Sequence, residues 1–204
     1  MREDTIEDEF NSMASTTNGG TDCGMSLNEA LYYFLVYSLL GWILENVYSY
    51  FTRGVFWKEG FLLGPYKPMY GFAPVILLLL VDIEEFLFRQ PGARLIAVIV
   101  LCVMIPTVVE YVSGYLLKAW FGRQWWDYSG YVGQVQGHIC LRFSLYWGVL
   151  SLLCLYGIQP LLSHHYMKIQ SIWVYAGPVL LLIFLMDLAW TSSLRRRDLK
   201  QSRV

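Results

Sequence analysis

Residues 93–118 read ARLIAVIVLCVMIPTVVEYVSGYLLK, and between Arg94 and Lys118, near its two ends, the only charge is Glu110. A helical crossing of a bilayer needs about 20 predominantly apolar residues, and this run supplies them. It decides the fold class: an all-α integral membrane protein. Working outward, four more apolar stretches of similar length lie at 27–51, 68–88, 140–162 and 170–193, which predicts a bundle of about five transmembrane helices. The second is irregular. Pro68, Gly71 and Pro74 mark its start and Asp82, Glu84 and Glu85 its end, which suits a tilted span or a re-entrant segment. Arg89-Gln90-Pro91-Gly92 is turn chemistry, joining spans two and three as a tight hairpin.

Composition agrees with that reading. Of 204 residues, 56% are hydrophobic and 17% aromatic, mean hydropathy is +0.42, and there are 31 charges. Thirteen of those charges lie in two tails, leaving eighteen for the 167 residues between them. This argues against a water-soluble enzyme and a disordered chain. A net charge of −1 provides no basic surface for nucleic acid. Three regions follow: an acidic, disordered N-terminal tail (1–26), a transmembrane helical domain (27–193) and a basic C-terminal tail (194–204) containing Arg195-Arg196-Arg197. The first 26 residues have the reverse of a signal peptide's basic start, and no cleaved leader is expected.

Lysine and arginine in short loops are retained in the cytoplasm during insertion. With five spans, eleven of the fifteen, including Arg53, Lys58, Lys67, Lys118, Arg123 and Arg142, fall on one side and four (Arg2, Arg89, Arg94, Lys168) on the other. The expected topology is a multi-pass protein of the cell membrane, N-terminus outside and C-terminus cytoplasmic. Cys23, Cys102, Cys140 and Cys154 form no C-x-x-C pair, so neither a disulfide framework nor a metal site is expected, and nothing points to a cofactor. Gly-Lys never occurs, so there is no Walker A motif; nucleotide hydrolysis would come from a partner chain.

Ionisable groups inside a span cost about 2.5–3.5 kcal/mol on insertion scales and usually face a bundle interior or polar cavity. Glu45 in span one, Glu110 in span three and Asp187 in span five fall at the same, cytoplasmic, depth, because odd-numbered spans run in one direction. The two long connections, 52–67 and 119–139, emerge on that side. One contains the run from Glu59 to Gly71, with Gly64, Pro65 and Pro68 too close together for an ordinary helix. Such backbone at membrane depth lines a cavity or is buried in protein. The other contains Trp120, Phe121, Trp125, Trp126, Tyr128 and Tyr131 with Asp127, an interfacial aromatic belt or a lid. Two readings of Glu45 and Glu110 stand side by side: an ion pair holding helices together, with Arg142 as the cation, or a substrate or proton path. Asp187 can snorkel toward Arg195. His164-His165 reads as a solvated outer loop.

Five ordered motifs carry a resemblance to a known family: Gly41-Trp42-Ile43-Leu44-Glu45, the run from Glu59 through Tyr70 to Gly71, Glu110-Tyr111-x-x-Gly114, Trp125-Trp126-Asp127-Tyr128-Ser129, and Gly137-x-Ile139-Cys140-Leu141-x-x-Ser144-x-x-Trp147-Gly148. Over roughly 27–150 the chain resembles the CmpB-type ABC-transporter permease family, which also includes small vertebrate membrane proteins. The chain departs from that family's pattern at Gln134, Gln136, Gly137 and His138, which stand where Asn-x-Asn-Gly-Arg is usual, and at Arg142, where proline is common. An imidazole thus replaces a permanent cation.

The resemblance implies a transport component: a permease-like subunit with a carboxylate-lined cavity on the cytoplasmic side, in contact with membrane lipids and paired with an ABC-type ATPase subunit or a second copy of itself. The residues expected along a substrate or ion path are Glu45, Glu110, Asp127, Trp126, Tyr70, Gln136 and His138, framed by Gly64, Pro65, Pro68 and Gly71. Two other readings remain open. One is an intramembrane enzyme acting on a lipid or isoprenoid carrier, which lacks a recognisable nucleophile, metal or phosphate motif. The other is a non-catalytic membrane scaffold or regulator.

Overall fold

Helix α1 spans Leu27–Arg53. The Ser26 hydroxyl oxygen caps it by accepting the Glu29 N–H at 3.2 Å. Gly54, at φ +70°, ends it in the left-handed conformation that glycine adopts without steric cost. This computed structural model describes residues 24–57, 60–87 and 90–201; most of the acidic tail, Lys58, Glu59, Arg89 of the expected turn and the last three residues lie outside them.

Helix α2 (Pro68–Leu87) and helix α3 (Pro91–Phe121) both begin at proline, whose missing N–H costs nothing in a first turn. Their prolines Pro74 and Pro106 are interior. After Pro106, Thr107 donates its hydroxyl to the Val103 carbonyl at 2.7 Å. Gly122 closes α3 at φ +60°. The aromatic connection then forms a small antiparallel hairpin, β1 (Gln134–Val135) with β2 (Ile139–Cys140). Its turn has Gln136 at φ +52° and Gly137 at φ +72°, closed by the His138 N–H on the Val135 carbonyl at 3.0 Å, the geometry of a type I′ turn.

From Leu141 onward the described residues are all in helical elements: α4 (Leu141–Leu153), a π-helical turn (Cys154–Ile158) and α5 (Gln159–Gln201). The connection expected at 163–169 is helix, and so is the start of the basic tail. The reason is in the residues. After Pro160 no glycine or proline occurs until Gly177, and Cys154, Ile158, Leu162, Tyr166, Ile169 and Trp173 continue one apolar stripe that packs on the α1 core. The π turn widens the helix just before Pro160.

Among the described residues three helices are long and apolar enough to cross a membrane: Leu27–Arg53, Pro91–Phe121 and Leu141–Arg197. A shorter apolar helix covers Pro68–Val81. The 57 residues of the last stretch are far more than the roughly 20 of one crossing, and its contacts with α1 reverse direction: Gln159 meets Tyr37 and Trp173 meets Asn28, after which Phe184 meets Phe34 and Asp187 meets Gly64, so the stretch runs along α1 and back. Exposed Ile96, Leu145, Val149, Leu161 and Ile172 give the molecule an outer surface that suits lipid rather than water.

The core has two parts. Tyr32, Tyr33, Leu35 and Tyr37 of α1 pack with Leu62, Trp173 and Phe184, and Leu77 of α2 packs with Val98 and Cys102 of α3. Helices α1 and α2 approach through glycines. A β-carbon on Gly41 would collide with the Tyr70 ring, and one on Gly71 with Ser38 and the Phe34 carbonyl.

Candidate functional site

Glu110 on α3 is 2% exposed. Each of its carboxylate oxygens accepts a bond from a different part of the chain: the Tyr128 hydroxyl of the aromatic connection at 3.0 Å and the Trp147 indole N–H of α4 at 2.9 Å. Burial, and then the adjacent carboxylate, push the Tyr128 phenol well above the ordinary tyrosine range, so it remains a donor.

Glu45 on α1 pairs with Lys67 at 2.8 Å, both side chains being mostly buried. Lys67 is held at the entrance to α2 by its own backbone N–H on the Ser38 carbonyl. Tyr70, one turn into α2, joins the two carboxylates. Its hydroxyl lies beside Glu45 and within electrostatic reach of Glu110, and its ring meets that of Trp147 edge-on at 5.5 Å. Glu45, Tyr70 and Glu110 thus form one polar group among apolar helices.

Two cavities adjoin it. One, of about 320 Å³, has almost wholly apolar walls including Gly41, Tyr70, Pro74, Pro106, Trp147 and Leu150. The other, of about 220 Å³, is lined by Glu45, Lys67, Ser113, Trp125 and Trp126 among others. Met69 forms part of both walls.

The remaining residues singled out from the sequence divide. Trp126 donates its indole N–H to the His138 carbonyl at 2.8 Å and borders the smaller cavity. His138 is 1% exposed and packs edge-on against Tyr111. No residue but glycine fits at 114, where a β-carbon would lie 2.8 Å from the His138 Nδ1. Gln136 accepts the Tyr111 hydroxyl at 3.1 Å and serves the hairpin turn. Asp127 does not join the carboxylates. It is exposed, its Oδ1 accepts the Ser129 N–H at 2.9 Å, and that bond holds its carboxyl below the usual range. Gly64 donates its N–H to Asp187 at 3.0 Å, Pro65 is exposed, and Pro68 borders the smaller cavity.

Three pairings differ from expectation. Arg142 is the partner of neither glutamate; it is exposed, donating to the Tyr146 hydroxyl at 2.9 Å. Asp187 turns inward, accepting Gly64 and the Thr191 hydroxyl at 3.1 Å, and pins the Gly/Pro-rich run. His165 lies on a helix, with its Nδ1 at 2.8 Å from the Tyr32 hydroxyl. The partners the sequence reading missed are Lys67, Tyr128 and Trp147. Lys67 left a signal: a lysine inside an otherwise apolar run leading into a span needs a carboxylate.

Helices of this length and apolarity, with buried carboxylates between them, define a multi-pass membrane protein. The chain belongs to the family described as "Putative ABC-transporter type IV", whose profile matches residues 32–192. No curated protein and no solved structure gives a significant match.

Proposed function

We propose that the chain is a permease-like subunit of a membrane transport assembly, in which substrate or ions pass beside Glu45, Tyr70 and Glu110. The observation that carries the reading is the convergence of carboxylates from α1 and α3 on one tyrosine between two cavities. Transporters commonly place polar groups and irregular backbone at such a point. The chain crosses the cell membrane five times, with its N-terminus outside and its carboxylates toward the cytoplasmic side. Energy comes from an ATPase partner, as the family's description suggests, and a second copy completes the pathway.

The test is purification in mild detergent followed by mass spectrometry. A stoichiometric ATPase subunit that remains bound supports the reading, and its loss in Glu110→Gln would tie the site to assembly. A tightly held lipid with no ATPase would instead favour an enzyme acting on a lipid or isoprenoid carrier, the reading that the large apolar cavity beside the carboxylates also suits. Recovery of neither would leave a scaffold.

A further inference from the structure

We propose that the two cavities together form one binding site for a single-chain amphiphile, with its hydrocarbon chain in the apolar cavity and an oxyanion head, a carboxylate or phosphate, in the smaller one. The inference rests on the site proposed above and names its substrate class.

Four observations carry it. The larger cavity offers almost no polar surface, and Ile43, Leu44 and Val47 on its wall are themselves exposed on the lipid-facing side of α1, so the hydrocarbon of the bilayer is what lies at its opening. Since a cavity of about 150 Å³ admits benzene, one of about 320 Å³ has room for a chain of roughly a dozen carbons. The smaller cavity is different in kind. Trp125 belongs to its wall, and the indole nitrogen of that residue is buried just behind the surface with no acceptor among the described residues, a donor whose desolvation is uncompensated until an acceptor reaches it. Lys67 lines the same cavity, and an ammonium has three donors, of which the bond to Glu45 uses one. A head rich in acceptors satisfies both groups; a cationic head satisfies neither.

The two compartments are also joined. Met69 belongs to both walls, and an unbranched thioether side chain adapts its shape at low cost. Tyr70 borders the apolar cavity and lies beside Glu45, which borders the polar one. A chain passing Met69 would bring its head to Lys67 and Trp125.

The experiment is a titration of the full chain, held in amphipol, with laurate, dodecyl phosphate, dodecylammonium and acetate, read by native mass spectrometry and thermal shift. One laurate or dodecyl phosphate per chain, raising the melting temperature, is expected, with the stronger of the two identifying the oxyanion. Dodecylammonium and acetate should bind at least about tenfold more weakly, since one lacks acceptors and the other the chain. Trp125→Phe should weaken laurate binding about three- to tenfold by removing one donor, and Ala73→Phe, at a position on the wall of the apolar cavity, should fill that cavity and abolish the advantage of laurate over acetate. Dodecylammonium binding as well as laurate overturns the proposal, and so does laurate binding that neither variant changes. If laurate fails to bind while an ATPase still co-purifies, the substrate class is wrong and the transport reading stands.

Discussion

The two halves of α1 solve the problem of polar groups in a membrane differently. The first half is joined to α5 by neutral bonds: Tyr37 to Gln159 at 2.9 Å, Tyr33 to Ser163 at 2.9 Å, Tyr32 with His165, and the Trp173 indole to the Asn28 carbonyl. Their rings fill the main core, with Tyr32 and Trp173 edge-on at 5.1 Å. The second half packs on α2 and carries charge: Glu45 pairs with Lys67 at the entrance to α2, and near it Glu110 of α3 is held by Tyr128 and Trp147. Hydroxyls close a seam at small cost because each is both donor and acceptor. Carboxylates accept only, and each must be surrounded by donors before burial becomes tolerable. The neutral seam therefore reads as structure, and the charged half, which the two cavities adjoin, is the part that the proposed function uses.

The contrast breaks most severely at Glu110. Glu110→Leu leaves the Tyr128 hydroxyl and the Trp147 indole N–H buried without acceptors, at about 1–3 kcal/mol each. Thermal survival on size exclusion should fall further than for any substitution in the tyrosine seam. Glu110→Gln should be intermediate, because one of the two accepting oxygens becomes a donor. A Gln variant as stable as the native chain would show that the donors readily find other acceptors.

Glu45 comes next. Glu45→Gln leaves Lys67 without its counter-charge, and because the pair is 12–16% exposed the cost should be about 2 kcal/mol, below the 3–5 kcal/mol of a fully buried pair. The sharper measurement is the double variant with Lys67→Met. Recovery of most of the lost stability would make the pair a matter of charge; no recovery would mean that the Glu45 carboxylate supports the fold beyond its pairing with Lys67.

How much of this was legible beforehand follows from what each residue must satisfy. The spans around Glu45 and Glu110 are readable because apolar runs of that length have one solution in lipid. The polarity of those two positions is readable because charge in a span is costly. The partners are not, since Lys67, Tyr128 and Trp147 lie 22, 18 and 37 residues away from the groups they bind. Arg142 is close to the right place in sequence, but its side chain has an easier partner one turn along the same helix. The hairpin turn was hidden because Gln136-Gly137 is a weaker signal than Asn-Gly for two positive φ angles. The long terminal helix was hidden because a polar stretch such as Ser163-His164-His165 looks like a loop until Tyr32 and Tyr33 are there to bond it.

In the neutral seam a single loss should be modest. Tyr37→Phe removes one hydroxyl, and Gln159 keeps its bond to Ser163 at 3.2 Å, so about 1 kcal/mol is expected. A loss as large as that of Glu110→Leu would remove the distinction between the halves.

The smallest effect expected is one of pH, and it separates the charged half from the seam without altering either carboxylate. His138 is buried against Gly114, between Tyr111 and Trp126. Burial first, and then the charge of Lys118, hold its imidazole below the ordinary value of 6.5, with Asp127 opposing them weakly. The sign follows from linkage. A histidine with a depressed folded pKa is neutral in the fold, while the unfolded chain still takes up a proton near 6.5, so the unfolded state binds more protons as pH falls. Stability from this residue is present above pH about 6.5 and is lost as pH drops below it. Melting temperatures measured from pH 7.5 to 5 should decline in the native chain and decline less in His138→Leu, while Tyr37→Phe should keep the native slope. Equal slopes for the native chain and His138→Leu would mean that the imidazole is protonated in the fold at no cost.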